Sequence, residues 1–202
     1  MTSIKIMNIY EDIINELIAY GAQTIILYGS RARGDFNTQS DIDIIAFRDE
    51  GESFRIARWD EQLKCYLDIF VETFSKFNES HLKLANGLVL LDKDGFGQKL
   101  IQRINLAVLC PNILPRNELN TRSVWYNKMI ERAKIQDIEG LYRHQWALNT
   151  LIEDYFVFRG KHYLGPKKGF QYLKNYNPKA YELYLSSGIK ITPRHFETKT
   201  IG

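Results

Sequence analysis

Tyr28-Gly29-Ser30-Arg31-Ala32-Arg33-Gly34-Asp35-Phe36-Asn37-Thr38-Gln39-Ser40-Asp41-Ile42-Asp43-Ile44 sets a Gly-Ser turn ahead of two carboxylates spaced two apart. Immediately before it, Thr24-Ile25-Ile26-Leu27-Tyr28 is short, apolar and β-branched. Such a run predicts a buried strand that delivers Gly29 and Ser30 to its end. Glycine lets a backbone approach an anion closely, and the turn N–H groups with the Ser30 hydroxyl suit a phosphate. Asp41 to Phe47 reads as the next strand, in which Asp41 and Asp43 alternate with Ile42 and Ile44. The two-residue period of a strand puts both carboxylates on one face, about 7 Å apart. Two carboxylates held so close repel each other unless a cation sits between them. Hard oxygen ligands that leave room for substrate phosphates are what Mg²⁺ prefers.

A two-metal site needs a further carboxylate, and Asp68 is the candidate. It lies within Cys65-Tyr66-Leu67-Asp68-Ile69-Phe70-Val71, where a charge between Leu67 and Ile69 is costly to bury without a partner. Glu72 shares the face of Asp68 by parity, at the end of that strand.

Gly29-Ser30, then Asp41-x-Asp43, then a lone acid in a later strand resembles the nucleotidyltransferase superfamily named after DNA polymerase beta. The G-S-R-A-R-G form of the turn is similar to that of its small bacterial members, and the resemblance spans about residues 5 to 110. It implies that Gly29 and Ser30 hold a nucleoside triphosphate, that Asp41 and Asp43 bind two Mg²⁺ ions, and that Asp68 completes the metal site and helps activate the attacking group. Arg31 and Arg33 are phosphate contacts by charge.

Composition fits this picture. The chain has 202 residues, 45% hydrophobic and 25% charged, ordinary values for globular proteins. No apolar run approaches the roughly 20 residues of a membrane span, and Met1-Thr2-Ser3-Ile4-Lys5 lacks a secretory core, so a cytoplasmic protein without a membrane partner is expected. Cys65 and Cys110 stand in apolar surroundings without metal-type spacing and are expected to be buried thiols. His81, His144, His162 and His195 are scattered, also without such spacing. Charge divides unevenly: residues 1 to 115 carry 12 Lys+Arg against 16 Asp+Glu, residues 116 to 202 carry 15 against 8. The interleaving of the C-terminal lysines with polar helical positions makes them a solvated face.

Apolar positions at Tyr10, Ile13, Ile14, Leu17 and Ile18 predict a helix over residues 8 to 20, stopped by Gly21, beneath the first strand. After the strand of Asp68, a helix is predicted from Ser75 to Ala85, a strand from Leu88 to Leu91 and a helix from Gln98 to Leu109. Pro111 and Pro115 then break the chain. The expected organisation is a catalytic domain over residues 1 to 112, a helical domain over 116 to 186 and a tail from 187 to 202. In the helical part Trp125, Met129 and Ala133 give one stripe, and Leu141, Leu148, Ile152 and Tyr155 another. Asn177-Pro178 caps a last helix running through Leu185. The fold class is thus a mixed-sheet α/β domain followed by an all-helical bundle.

This arrangement resembles the antibiotic nucleotidyltransferases of the kanamycin type, in which a helical C-terminal domain helps hold the acceptor. The resemblance implies a carboxylate from the helical part as general base, and Glu153 or its neighbour Asp154, on the helix Ile138 to Phe158, is the candidate. The expected reaction moves a nucleoside monophosphate, AMP from ATP, onto a hydroxyl of a small-molecule acceptor such as an aminoglycoside, with release of pyrophosphate. A protein or RNA acceptor, and a non-catalytic module binding nucleotide or nucleic acid, are the alternatives. A homodimer follows if the helical part completes a shared site.

Overall fold

A computed structural model of the chain describes residues 9–75, 77, 82–135 and 137–187. The chain divides into two compact units, Met1–Cys110 and Pro111–Gly202.

The first unit is built on a five-stranded mixed sheet. Its elements are α1 (Glu11–Ala19), β1 (Thr24–Tyr28), the short helix α2 (Gly29–Arg33), β2 (Ile42–Arg48), β3 (Phe54–Asp60), β4 (Cys65–Thr73), a 3₁₀ turn at Leu82–Leu84, β5 (Leu88–Asp92) and α3 (Phe96–Leu109). The strand order is β3-β4-β2-β1-β5. β2 and β4 run parallel, while every other pairing is antiparallel. β4 therefore slots between β2 and the outer strand β3, and this places Asp43 directly opposite Asp68 in the parallel register.

Alternation along the strands feeds two cores. On one face Ile13, Ile14 and Leu17 of α1 pack against Ile25, Leu27, Ile42, Ile44, Leu67 and Ile69. On the other, Ile26, Ile45 and Phe47 meet Leu84 of the 3₁₀ turn and Leu100, Ile101 and Ile104 of α3. Each of these buried apolar side chains contributes about 1.5–3 kcal/mol by leaving water. Asp43 and Asp68 belong by parity to the face of Ile45 and Phe47. The apolar cover lies toward the far ends of β2 and β4 and leaves these two carboxylates half-buried.

The second unit comprises α4 (Arg116–Ala133), α5 (Ile138–Val157), α6 (Pro166–Tyr176) and α7 (Pro178–Ser187). Its core of Ile152, Phe156 and Leu173 is ringed by Tyr155, Tyr163, Phe170, Tyr172, Tyr181 and Tyr184, so the tyrosines crowding this region are packing material. Asp137 caps α5 by accepting a hydrogen bond from the Gly140 N–H at 2.7 Å. Asn177 caps α7 in the same way, accepting from the Ala180 N–H at 3.2 Å.

Several details differ from the sequence pattern. β3 has no counterpart among the predicted strands. Its residues alternate Phe54 and Ile56, packed on the α1 core, with exposed Arg55, Ala57 and Trp59, the pattern of an outer strand. Asp41 lies just before β2 and is exposed, because the strand begins at Ile42. Ile18 is exposed at the end of α1. Residues 76 and 78–81 of the predicted helix Ser75 to Ala85 lie outside the described residues, as do His81, His195, the N-terminal start and all but Ser187 of the predicted tail; Leu82–Leu84 form a 3₁₀ turn. On α4 the buried residues are Tyr126 and Met129, with Trp125 half-buried against Trp146 at 4.4 Å between ring centroids. Leu141 is exposed, since the first turns of α5 turn Gly140 inward instead. Gly140 is needed there because a Cβ would collide with the Ile135 carbonyl. Cys65 is buried as expected, whereas Cys110, at the end of α3, is exposed. The Asp92-Lys93-Asp94-Gly95 turn has a structural task. Asp92 accepts from the Gly97 and Gln98 N–H groups, each at 3.0 Å, and from the Thr24 hydroxyl at 3.1 Å, so it ties the start of α3 to β1.

Candidate active site

β1 ends at Tyr28, and Gly29 follows with φ of +72°, a conformation that costs glycine little. The absent side chain matters more than the torsion. A Cβ at Gly29 would collide with Asp43 Oδ2, so the turn and the carboxylate fill one space. Ser30 is half-buried behind it. β2 carries Asp43 on one side of this turn and β4 carries Asp68 on the other side of Asp43, at the roughly 4.8 Å spacing of neighbouring strands.

Asp43 makes no hydrogen bond or ion pair among the described residues. Its carboxyl is pushed above the usual carboxylate range, first by burial, then by the charges of Asp68 and Asp41; Lys83 and Arg33 oppose the shift. The Tyr28 phenol beside it is pushed up by burial and then by the charges of Asp43 and Asp68. The charges of two further acids thus act on Asp43, with Lys83 and Arg33 opposing them only in part. This deficit fits a cation held by Asp41 and Asp43.

Asp68 is differently placed. Arg55 on β3 donates to it bidentately, Nε to Oδ1 at 2.6 Å and Nη2 to Oδ2 at 2.9 Å. Among the described residues no three acidic, His or Cys side chains stand in metal-holding geometry. The Arg55 guanidinium thus occupies both oxygens of Asp68. The Arg55 side chain is 58% exposed and stands over the Phe70 ring at 5.2 Å.

The two arginines of the turn have separate tasks. Arg31 donates from Nε and Nη2 to the Ser40 carbonyl, at 3.1 and 2.9 Å, and from Nε to the Asp41 carbonyl at 3.2 Å. It fixes the loop that carries Asp41 and is spoken for by that loop. Arg33 pairs with Asp35 at 3.4 Å and keeps a buried Nε with no hydrogen-bond partner, a donor suited to an anion. Lys83 was not legible as a site residue. Its Nζ stands 4.4 Å from the Phe70 centroid and 5.2 Å from that of Tyr28, which holds a cation beside Asp43. Only the tertiary placement of the 3₁₀ turn brings it there. Arg55 was equally hidden, since its partner lies on a neighbouring strand.

In the helical unit Glu153 and Asp154 part company. Asp154 is buried, and Arg122 of α4 donates to its Oδ1; Arg122 also donates to Glu118 at 3.0 Å. Tyr126 hydrogen-bonds Asp154 and is pushed up to about 12, chiefly by burial. Asp154 is therefore committed to packing. Glu153 is exposed and unpaired among the described residues, at the edge of a cavity of about 330 Å³ lined also by Trp125, Tyr126 and Trp146. Of the two, only Glu153 is available to accept a proton.

Residues 11–94, which contain every sheet residue named above, match the family described as polymerase beta, nucleotidyltransferase. Among solved structures, the chain is similar to a nucleotidyltransferase-like protein from Exiguobacterium sibiricum 255-15, at 12% identity and a TM-score of 0.43, over 93% of this chain and 68% of that one. No curated protein matches the sequence. No helix among the described residues is long and apolar enough to cross a membrane.

Proposed function

We propose that residues 11–94, which match the polymerase beta nucleotidyltransferase family, form a nucleotidyltransferase domain, and that the protein transfers AMP from Mg-ATP to a hydroxyl of a small-molecule acceptor in the cytoplasm. The observation that carries this reading is the juxtaposition of Asp43 with Gly29 on one side and Asp68 on the other. The Gly29-Ser30 turn and Arg33 bind the triphosphate. Asp41 and Asp43, joined by Asp68 once Arg55 is released, hold the metal. When bound, Mg²⁺ neutralises charge on the triphosphate and lowers the barrier to attack. The acceptor oxygen bonds to the α-phosphorus, the bond from that phosphorus to the bridging oxygen breaks, and pyrophosphate leaves with the electron pair. The hydroxyl proton passes to the Asp68 carboxylate. Lys83, poised beside Asp43, limits repulsion within the acidic group.

The test is pyrophosphate release from labelled ATP with Mg²⁺ against panels of small hydroxyl compounds, RNA and cell protein. Release stimulated by a small compound and absent in Asp43→Asn supports the proposal. Stimulation by RNA or protein alone moves the acceptor to that class, and full activity in Asp43→Asn removes the metal assignment.

A further inference from the structure

Beside Asp68 the sheet carries an aromatic surface that neither core uses. Trp59 on β3 and Tyr66 on β4 are directly opposite each other, with ring centroids 5.1 Å apart at an interplanar angle of 75°. They are 44% and 59% exposed. Parity puts both on the face of Asp68, because Tyr66 precedes it by two positions on β4 and Ala57, its partner on β3, precedes Trp59 by two. Two strand positions span about 7 Å, which brings the rings beside the carboxylate. Ala57 presents only a methyl group opposite Asp68. The floor is therefore low between Arg55 on one side and Trp59 on the other.

The order of groups across the sheet gives this surface its meaning. From β1 outward stand the Gly29 turn, Asp43 on β2, Asp68 on β4 and the aromatic pair at the β4/β3 edge. In-line displacement puts the attacking oxygen opposite the departing pyrophosphate. With the triphosphate at the Gly29 turn, the acceptor enters from the Asp68 side, where Trp59 and Tyr66 stand. We propose that Trp59 and Tyr66 form the platform on which the acceptor stacks, and that the acceptor is a hydroxyl compound built on a ring with a flat apolar face. The exposed rings supply broad contact at little entropic cost, and Asp68 at their margin receives the hydroxyl. This inference rests on the transfer reaction proposed above.

A sugar ring and a nucleoside share this chemistry, so the experiment separates them. The full chain contains three tryptophans, Trp59, Trp125 and Trp146. Labelled with fluorotryptophan, it gives a fluorine NMR signal for each, and the Trp59 signal is assigned by its loss in Trp59→Phe. Titration, without nucleotide or magnesium, uses methyl β-glucoside, adenosine and the acyclic sorbitol. A saturable shift of the Trp59 signal with glucoside or adenosine, but not sorbitol, is expected, and whichever compound acts names the source. Tyr66→Ala should weaken that binding by at least about fivefold. Movement of Trp125 or Trp146 alone, an equal response to sorbitol, no shift with either ring compound, or unchanged binding in Tyr66→Ala overturns the platform. The compound that binds is then added to ATP and Mg²⁺. Faster pyrophosphate release, with Trp59→Ala raising its KM at least about fivefold and the KM for ATP much less, supports the acceptor role. Binding without any acceleration refutes that role. A failed titration beside intact pyrophosphate release on another acceptor removes the platform and spares the transfer reaction, whereas binding with no release on any acceptor does the reverse.

Discussion

Asp154 in the second unit and Asp43 in the first are both withdrawn from water, and they are treated in opposite ways. Asp154 on α5 is buried and meets Arg122 and Tyr126, so its charge is answered on the spot. Asp43 on β2 is half-buried beside two further acids, with no hydrogen-bonding partner among the described residues, and its carboxyl is pushed upward. The first pattern holds helices together. The second leaves a carboxyl with two acidic neighbours and little to answer them, an arrangement that clusters at functional sites.

The sharpest way to break this contrast is Asp43→Asn. Transfer should fall by about a thousandfold or more, as for loss of a principal electrostatic group, in a pyrophosphate-release assay. Stability of the metal-free protein should not fall with it. A carboxyl raised in the fold contributes stability below its unfolded pKa that is lost as pH rises through the folded value, so the wild type should weaken more than the variant as pH rises from the ordinary carboxylate value of about 4 through the higher one held in the fold. Denaturant titrations at both ends of that range measure the difference, and a less stable variant at neutral pH would contradict the deficit.

Arg122→Ala tests the opposite member. Leaving Asp154 buried and unanswered should cost about 2 kcal/mol, less than for a fully buried pair because the Arg122 side chain is 35% exposed. The paired change Arg122→Met with Asp154→Leu should recover most of the loss, as read from thermal midpoints. Should the single change prove neutral, Asp154 would be no better answered than Asp43.

A smaller effect is expected where the two patterns meet, at Asp68. Arg55→Ala removes the guanidinium that competes for this carboxylate and should tighten Mn²⁺ binding several-fold, measured by calorimetry on the nucleotide-free protein. Unchanged affinity would mean that Asp68 stays outside the metal site. The smallest effect belongs to Glu16, held below the usual carboxylate range first by its hydrogen bonds from Arg58. Glu16→Gln should cost less than about 1 kcal/mol. A carboxyl lowered in the fold contributes stability above its unfolded pKa and loses it as pH falls through the folded value. The variant should therefore lose part of the acid-side slope of the unfolding curve, below about pH 4.

Much of the first unit was legible because β1 is a plain apolar run and β2 and β4 are apolar runs interrupted by acids, and chemistry at odds with burial stands out in a sequence. Asp43 and Asp68 announce themselves in that way. β3 does not, since arginines interrupt its apolar residues and its hydrophobic side is only two residues, Phe54 and Ile56. With β3 went Arg55 and the aromatic pair, all of which depend on which strand lies beside β4. Lys83 and Arg122 were hidden for the same reason. Their partners are long-range, 32 residues away for Arg122 and Asp154, and pairing at such distance leaves no periodic trace. Tryptophan placement on α4 shifted because contact with Trp146 competes with the simple stripe.

The shared space of Gly29 and Asp43 means that two positions fourteen residues apart in sequence cannot drift separately. A methyl group added at 29 evicts the carboxylate at 43, which swings into solvent at small cost to the fold. Gly29→Ala should therefore leave a protein that still unfolds cooperatively, within about 2 kcal/mol of the parent, yet fails in transfer almost as completely as Asp43→Asn. Combining the two changes should then cost little more activity than either alone, the signature of mutual dependence in a double-mutant cycle. Mutational paths across this domain are narrowed by that dependence, since any lineage that fills position 29 has already surrendered the acid.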